Sequence, residues 1–263
     1  MITNMKKIYM IALMVVMALA ASAQQAVNLS SYSGTNVDRY DGTECNVTFN
    51  RVYFTGWNTI SVPFSMSENE LNEIFGTDCK LEKLVDVAGE GNTLTLTFQD
   101  CKASGVQANT PYILYYTGEI QNRKVAKTAT LFAAPSELTF IAKGTGETVQ
   151  MVGAQSRTDG KGLYGVLAKD NSDAKFVSVD DVENGFYATR CFVKVSSGNS
   201  AQLITRHIAA GEVSRISDVV SGNEIVDVYS ISGVKVASGV NAARIAQLPA
   251  GIYVVNGQKI AVK

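Results

Sequence analysis

The chain has 263 residues, 23 of them Lys or Arg against 24 Asp or Glu, for a formal charge of −1, and 46% of it is hydrophobic. That balance supplies no basic surface for nucleic acid or for an acidic membrane face. The length allows one large domain, or one medium and one small, and demands no covalent staples.

At the amino terminus Lys6 and Lys7 precede an uncharged run from Ile8 to Ala20, and Ala21-Ser22-Ala23 supplies the small residues that signal peptidase requires. Residues 1–23 are therefore expected to be a signal peptide cleaved before Gln24. The mature chain keeps 21 basic against 24 acidic residues, a net charge of −3. No later stretch approaches the ~20 apolar residues of a spanning helix, so no membrane span is expected after cleavage. The expected destination is the cell surface or the extracellular medium, with the periplasm as the remaining compartment on that route.

Residues 24–44 are polar and rich in Asn and Ser, and read as an extended leader. From residue 45 to 208 the chain alternates apolar and polar positions in short runs: Asn46 to Phe54, Leu81 to Val87, Thr93 to Phe98, Tyr112 to Thr117, Leu138 to Ala142, Thr148 to Val152, Phe176 to Val179, Phe186 to Val195 and Gln202 to Ile208. Turn residues separate them, as at Lys143-Gly144-Thr145-Gly146 and Ser197-Gly198-Asn199. The expected fold is all-β, an antiparallel β-sandwich with one short capping helix and a small carboxy-terminal β-module. The helix is announced by Ser67 and Glu70 as a capping box, by Leu71, Ile74 and Phe75 as one apolar face, and by Gly76 as a left-handed end. It is expected to cover Trp57, Ile60, Val62 and Phe64 at a mouth or edge of the sandwich.

Four cysteines lie in this exported chain: Cys45, Cys79, Cys101 and Cys191. A three-residue loop in Gly89 to Asn92 would set Ala88 opposite Asn92 and Cys79 opposite Cys101, leaving Cys45 to pair with Cys191. No metal site is expected, because the cysteines are not closely paired and His207 is the single histidine. His207 is also the only base for a Ser-His-Asp or Cys-His centre, and its setting reads as a strand end. A GxGxxG match at Gly160, Gly162 and Gly165 lacks the helix that phosphate binding needs. Asp180, Asp181 and Glu183 read as a solvated acidic loop, and Asp170 to Asp173 lacks the Gly and Glu of a calcium loop. No catalytic residue and no cofactor are expected. Tyr112 and Tyr116 share one face of their strand and are the candidate ligand face, since flat rings stack on sugars.

Residues 209–223 read as a linker and 224–263 as a module of about four short strands. Within it stand Val226, Val228 and Tyr229, then Ser230-Ile231-Ser232-Gly233, then Leu248-Pro249-Ala250-Gly251-Ile252-Tyr253. This segment resembles the sorting domain of proteins that Bacteroidetes export through the type IX (Por) system, although Val234 and Lys235 follow Gly233 where that family usually has Arg. The resemblance implies that Tyr229, Gly233, Leu248, Pro249, Gly251 and Tyr253 form a sorting element and that the export and sorting machinery is a partner. A docked structural module is the other reading. FTGWNTISVPF and NTPYILYY resemble a β-rich repeat of secreted Bacteroides proteins that carries no known activity. The expected function is a non-catalytic structural or adhesive protein with an unknown protein or glycan partner, and the alternative is a carbohydrate-binding accessory module.

Overall fold

The computed structural model describes residues 24–134, 136–167, 174–179, 185–198, 200–210 and 225–262. The expected signal peptide and residues 211–223 of the expected linker lie outside the described residues, as do Asp170 to Asp173, Asp180, Asp181 and Glu183. The chain is mostly β, in four sheets, and no helix among the described residues is long and apolar enough to cross a membrane.

The first sheet runs β1 (Ala26–Ser30), β2 (Glu44–Tyr53), β7 (Gln121–Thr130). Residues 24–44 are thus not a leader. β1 pairs in parallel with β2, Val27 and Leu29 are buried, and Val37 and Tyr40 join the same core. The polar composition misleads because only alternate residues of β1 face inward. β7 hides for the same reason: Val125 and Ala129 are its only buried residues.

Two five-stranded sheets follow, built on one plan. In the first, β5 (Thr93–Asp100), β4 (Lys80–Glu90), β6 (Tyr112–Tyr116) and β3 (Gly56–Ile60) are neighbours in that order. In the second the order is β11 (Lys175–Val179), β10 (Leu163–Leu167), β12 (Cys191–Val195) and β9 (Thr148–Gly153). All six neighbouring pairs are antiparallel. Each copy carries a turn with positive φ just before its inner strand, at Asn109 (58°) and at Thr189 (68°). The edges differ: β13 (Gln202–Ile208) adds to β5 in parallel, and β8 (Glu137–Ile141) adds to β9. The architecture is therefore an all-β, sandwich-like fold with two parallel pairings rather than a purely antiparallel one.

The first repeat is the middle layer. On β6, Tyr112, Leu114 and Tyr116 point into a core shared with the β1-β2-β7 sheet. Ile113 and Tyr115 point the other way, into a core shared with the second repeat. A strand buried on both faces loses its polar alternation, which is why YILYY is apolar throughout.

Helix α1 (Glu68–Phe75) has the expected capping box, with the Glu70 amide donating to Ser67 Oγ at 3.3 Å and the Ser67 amide to Glu70 Oε2 at 2.7 Å. Leu71 and Phe75 pack into the first core beside Ile60, Val62 and Phe64, whereas Trp57 belongs to the second core. Gly76 has φ 88° but ψ 157°, an extended glycine conformation rather than the left-handed helical cap.

The carboxy-terminal module orders β15 (Lys235–Val240), β14 (Val226–Ser230), β16 (Gly251–Val255), β17 (Gln258–Val262), with the single turn α2 (Ala242–Ile245). It has its own core of Val226, Val228, Ile245, Tyr253, Val255, Ile260 and Val262. Gln258 Nε2 donates to Val85 O at 3.2 Å, tying the module to β4.

Candidate functional site

The residues singled out from sequence divide sharply. Tyr112 and Tyr116 are 2% and 0% exposed, so the expected ligand face is core. The Tyr116 hydroxyl accepts from Arg123 Nε at 3.1 Å, and Phe75 packs edge-on to its ring. The strand alternates as expected, but a third layer covers the face that a two-layer sandwich would leave to solvent.

All four cysteines are free. The β4–β5 loop has two residues, with Glu90 opposite Thr93, and a bulge between Leu84 and Asp86 shifts the register again. The Cys101 amide therefore bonds to Leu81 O at 2.9 Å, leaving Cys79 two residues beyond. Cys45 stands six residues along β2 from Arg51, or roughly 20 Å. Arg51 bonds to the Thr59 carbonyl while Thr59 Oγ1 accepts the Cys191 amide, so Cys191 lies near Arg51 and well away from Cys45. Burial pushes the Cys101 and Cys191 thiols up to about 12.

The sorting-like residues do build one small structure. Gly233 (φ 81°) turns the β14–β15 hairpin, in which the Ser230 amide bonds to Val234 O at 2.7 Å. The Tyr253 hydroxyl donates to Pro249 O at 2.8 Å, Leu248 packs on the module core, and Gly251 starts β16. Lys235 lies over the Tyr229 ring at 5.6 Å and pairs with Asp227 at 2.6 Å.

Three constellations were not foreseen. His207 Nδ1 lies 2.5 Å from Glu82 Oε2, its ring stacks on Trp57 at 4.7 Å, and its Nε2 is buried without a hydrogen bond. Glu82 is buried and the pair seals the rim of the second core. On the surface, Tyr32 and Tyr187 meet at 4.8 Å with their rings tilted by 30°, and Arg157 lies over both rings at 5.6 and 5.5 Å while donating to the Tyr32 hydroxyl at 3.0 Å.

The third lies where the repeats meet. Arg51 is fully enclosed, donating to Thr189 O at 2.8 Å and Thr59 O at 2.5 Å, with its guanidinium 4.5 Å from the centre of the Tyr53 ring. Arg190 lies within electrostatic reach of Arg51, with its guanidinium over the Tyr187 ring at 5.8 Å. Burial and the neighbouring Arg51 bring the Arg190 guanidinium down to about 10. No carboxylate among the described residues pairs with either arginine. Arg51 Nε, the Tyr53 hydroxyl and Thr189 Oγ1 are all buried without a hydrogen bond. Thr189 adds a strained backbone, since a β-branched residue at φ 68° is a true outlier. Arg190 also lines an open cleft of about 260 Å³ with Phe54, Trp57, Val166, Leu167 and Phe186. Only the repeat itself was legible: Ala188-Thr189-Arg190 parallels Ala108-Asn109-Thr110, each before an apolar strand.

Fold and sites together define an all-β, sandwich-like protein with a duplicated sheet. No family model, no curated protein and no solved structure matches the chain.

Proposed function

We propose that this protein is a non-catalytic β-sandwich protein of the cell surface or extracellular medium, structural or adhesive in role, with residues 224–263 acting as a sorting element. The observation that carries this reading is the module itself. Its four strands close on a private core, and the residues of the sorting-like pattern make its turns, through Gly233 and the Tyr253–Pro249 bond. A self-contained terminal unit is what a secretion machine can recognise without unfolding the body.

The test is protease shaving of intact native cells. Surface display predicts that trypsin degrades the protein while periplasmic markers survive, and full protection until the outer membrane is opened would contradict it.

A second reading, carbohydrate binding, is favoured by one feature. Tyr32 is 58% exposed, tilted against Tyr187 and bordered by Arg157, so part of its ring is accessible to a ligand. The two rings are tilted by 30° against each other rather than coplanar and side by side, which offers one sugar a platform and a chain of sugars much less. A glycan array showing binding that Tyr32→Ala abolishes would favour this reading over the first.

A further inference from the structure

We infer that the cleft between β3 and β10 is a binding site for a small carboxylate with a flat apolar body, of which benzoate is the simplest probe, and that Arg190 holds the carboxylate. No residue of the carboxy-terminal module lines the cleft, and Arg190 reaches the Tyr32 face only through the Tyr187 ring.

The cleft combines features that a structural seam does not need. Phe54, Trp57, Phe186, Val166 and Leu167 line it together with Asn58, Thr59 and Cys191, and Arg190 is the only charged residue of its lining among the described residues. Phe54 and Leu167 remain 40% and 44% exposed at its rim. An apolar rim of that kind around one cation suits a ligand with an apolar body and a single negative charge. A planar guanidinium binds a planar carboxylate through two parallel hydrogen bonds, which ammonium cannot match. A doubly charged phosphate fits less well, because the apolar walls would strip its hydration with one guanidinium in return.

The charge balance points the same way. Arg190 feels the charge of Arg51, and no carboxylate among the described residues pairs with either of these two largely enclosed guanidinium groups. Arg51 is held by the carbonyls of Thr59 and Thr189, which gives it a structural use. Arg190 makes no such side-chain bond among the described residues, and its guanidinium lies over the Tyr187 ring at 5.8 Å. An anion in the cleft would supply the missing partner. The strained turn at Thr189 fixes where Arg190 begins, so the backbone places this cation at a cost that packing alone does not require.

Trp57 makes the test direct, because it is the one tryptophan of the chain and lines the cleft. Benzoate and its neutral isostere benzamide are titrated into the purified full chain, with Trp57 fluorescence and calorimetry as readouts. Saturable quenching by benzoate is expected, with benzamide weaker by about tenfold to a hundredfold, the worth of a charge-assisted hydrogen-bonded pair. Arg190→Met is expected to abolish binding while the melting midpoint stays or rises, since an apolar side chain replaces an unpaired buried charge. Equal affinity for the two probes, or benzoate binding kept by Arg190→Met, overturns the inference. Should Arg190→Met fail to fold, Arg190→Lys decides, because it keeps the charge but not the planar fork: a loss of about tenfold supports the assignment and unchanged affinity overturns it.

Discussion

Replacing Thr189 by glycine is expected to stabilise the protein, the reverse of the usual outcome at a buried position. A left-handed backbone costs a residue with a Cβ about 1–2 kcal/mol, and glycine adopts it freely. Thr189 is 7% exposed, and its hydroxyl is buried without a partner, an arrangement worth about 1–3 kcal/mol of desolvation. Against these stand the lost burial of one methyl, about 0.8 kcal/mol, and the greater chain entropy of glycine, about 0.5–1 kcal/mol. The balance favours Thr189→Gly by about 1–2 kcal/mol, or a rise of roughly 2–6 °C in melting temperature for a chain of this size. The matching position in the first repeat is the control. Asn109 has nearly the same φ, but its side chain donates to Phe132 O at 2.6 Å and Ala134 O at 2.8 Å. Asn109→Gly therefore loses two part-buried hydrogen bonds, at about 0.5–1.5 kcal/mol each. Urea unfolding with unchanged m-values is the assay. A lower midpoint for Thr189→Gly, or the same sign for both variants, would refute the strain argument.

Ser67→Ala should cost about 1 kcal/mol by opening the capping box, again by urea midpoint. Partial burial raises the Glu70 carboxyl, but bonds from Lys127 and from the Ser67 amide and hydroxyl outweigh it and leave the carboxyl below its ordinary 4.5. That contribution is present above pH 4.5 and fades as pH falls below it, so the wild-type advantage over Glu70→Gln should shrink in acid. Thiol titration of the denatured, unreduced chain should find four free thiols, while native Cys101 and Cys191 resist alkylation at pH 8 because burial holds their thiols near 12. A methyl added at Gly153 would meet Ser61 Oγ and lie 2.8 Å from Ser61 Cβ, so Gly153→Ala should cost about 1–3 kcal/mol, with partial rescue by Ser61→Gly.

Local signals in the sequence survived folding well. β13 occupies the whole of the expected Gln202 to Ile208 run, and α1 sits on its capping box because both depend on neighbours a few residues apart. What failed depended on the third layer. The alternation of Tyr112 and Tyr116 was real, but alternation gives a period and not the medium on each face. The cysteine pairing failed on a two-residue loop and one bulge, each of which moves the register by a step. The arginine seam was invisible because it joins β2 to the turn before β12, 138 residues apart between Arg51 and Thr189. The positive-φ turn was half visible: Asn109 is a residue that tolerates it, and Thr189 is one that does not.

The proposed function has the chain exported and its last forty or so residues acting as an address. Intact-mass and peptide mass spectrometry of the protein from its native cells tests this most directly. The account predicts an amino terminus at Gln24 and a carboxy terminus cut within or just before residues 224–263, with a surface-anchoring modification at the new end. An intact chain from Met1 to Lys263 would contradict it.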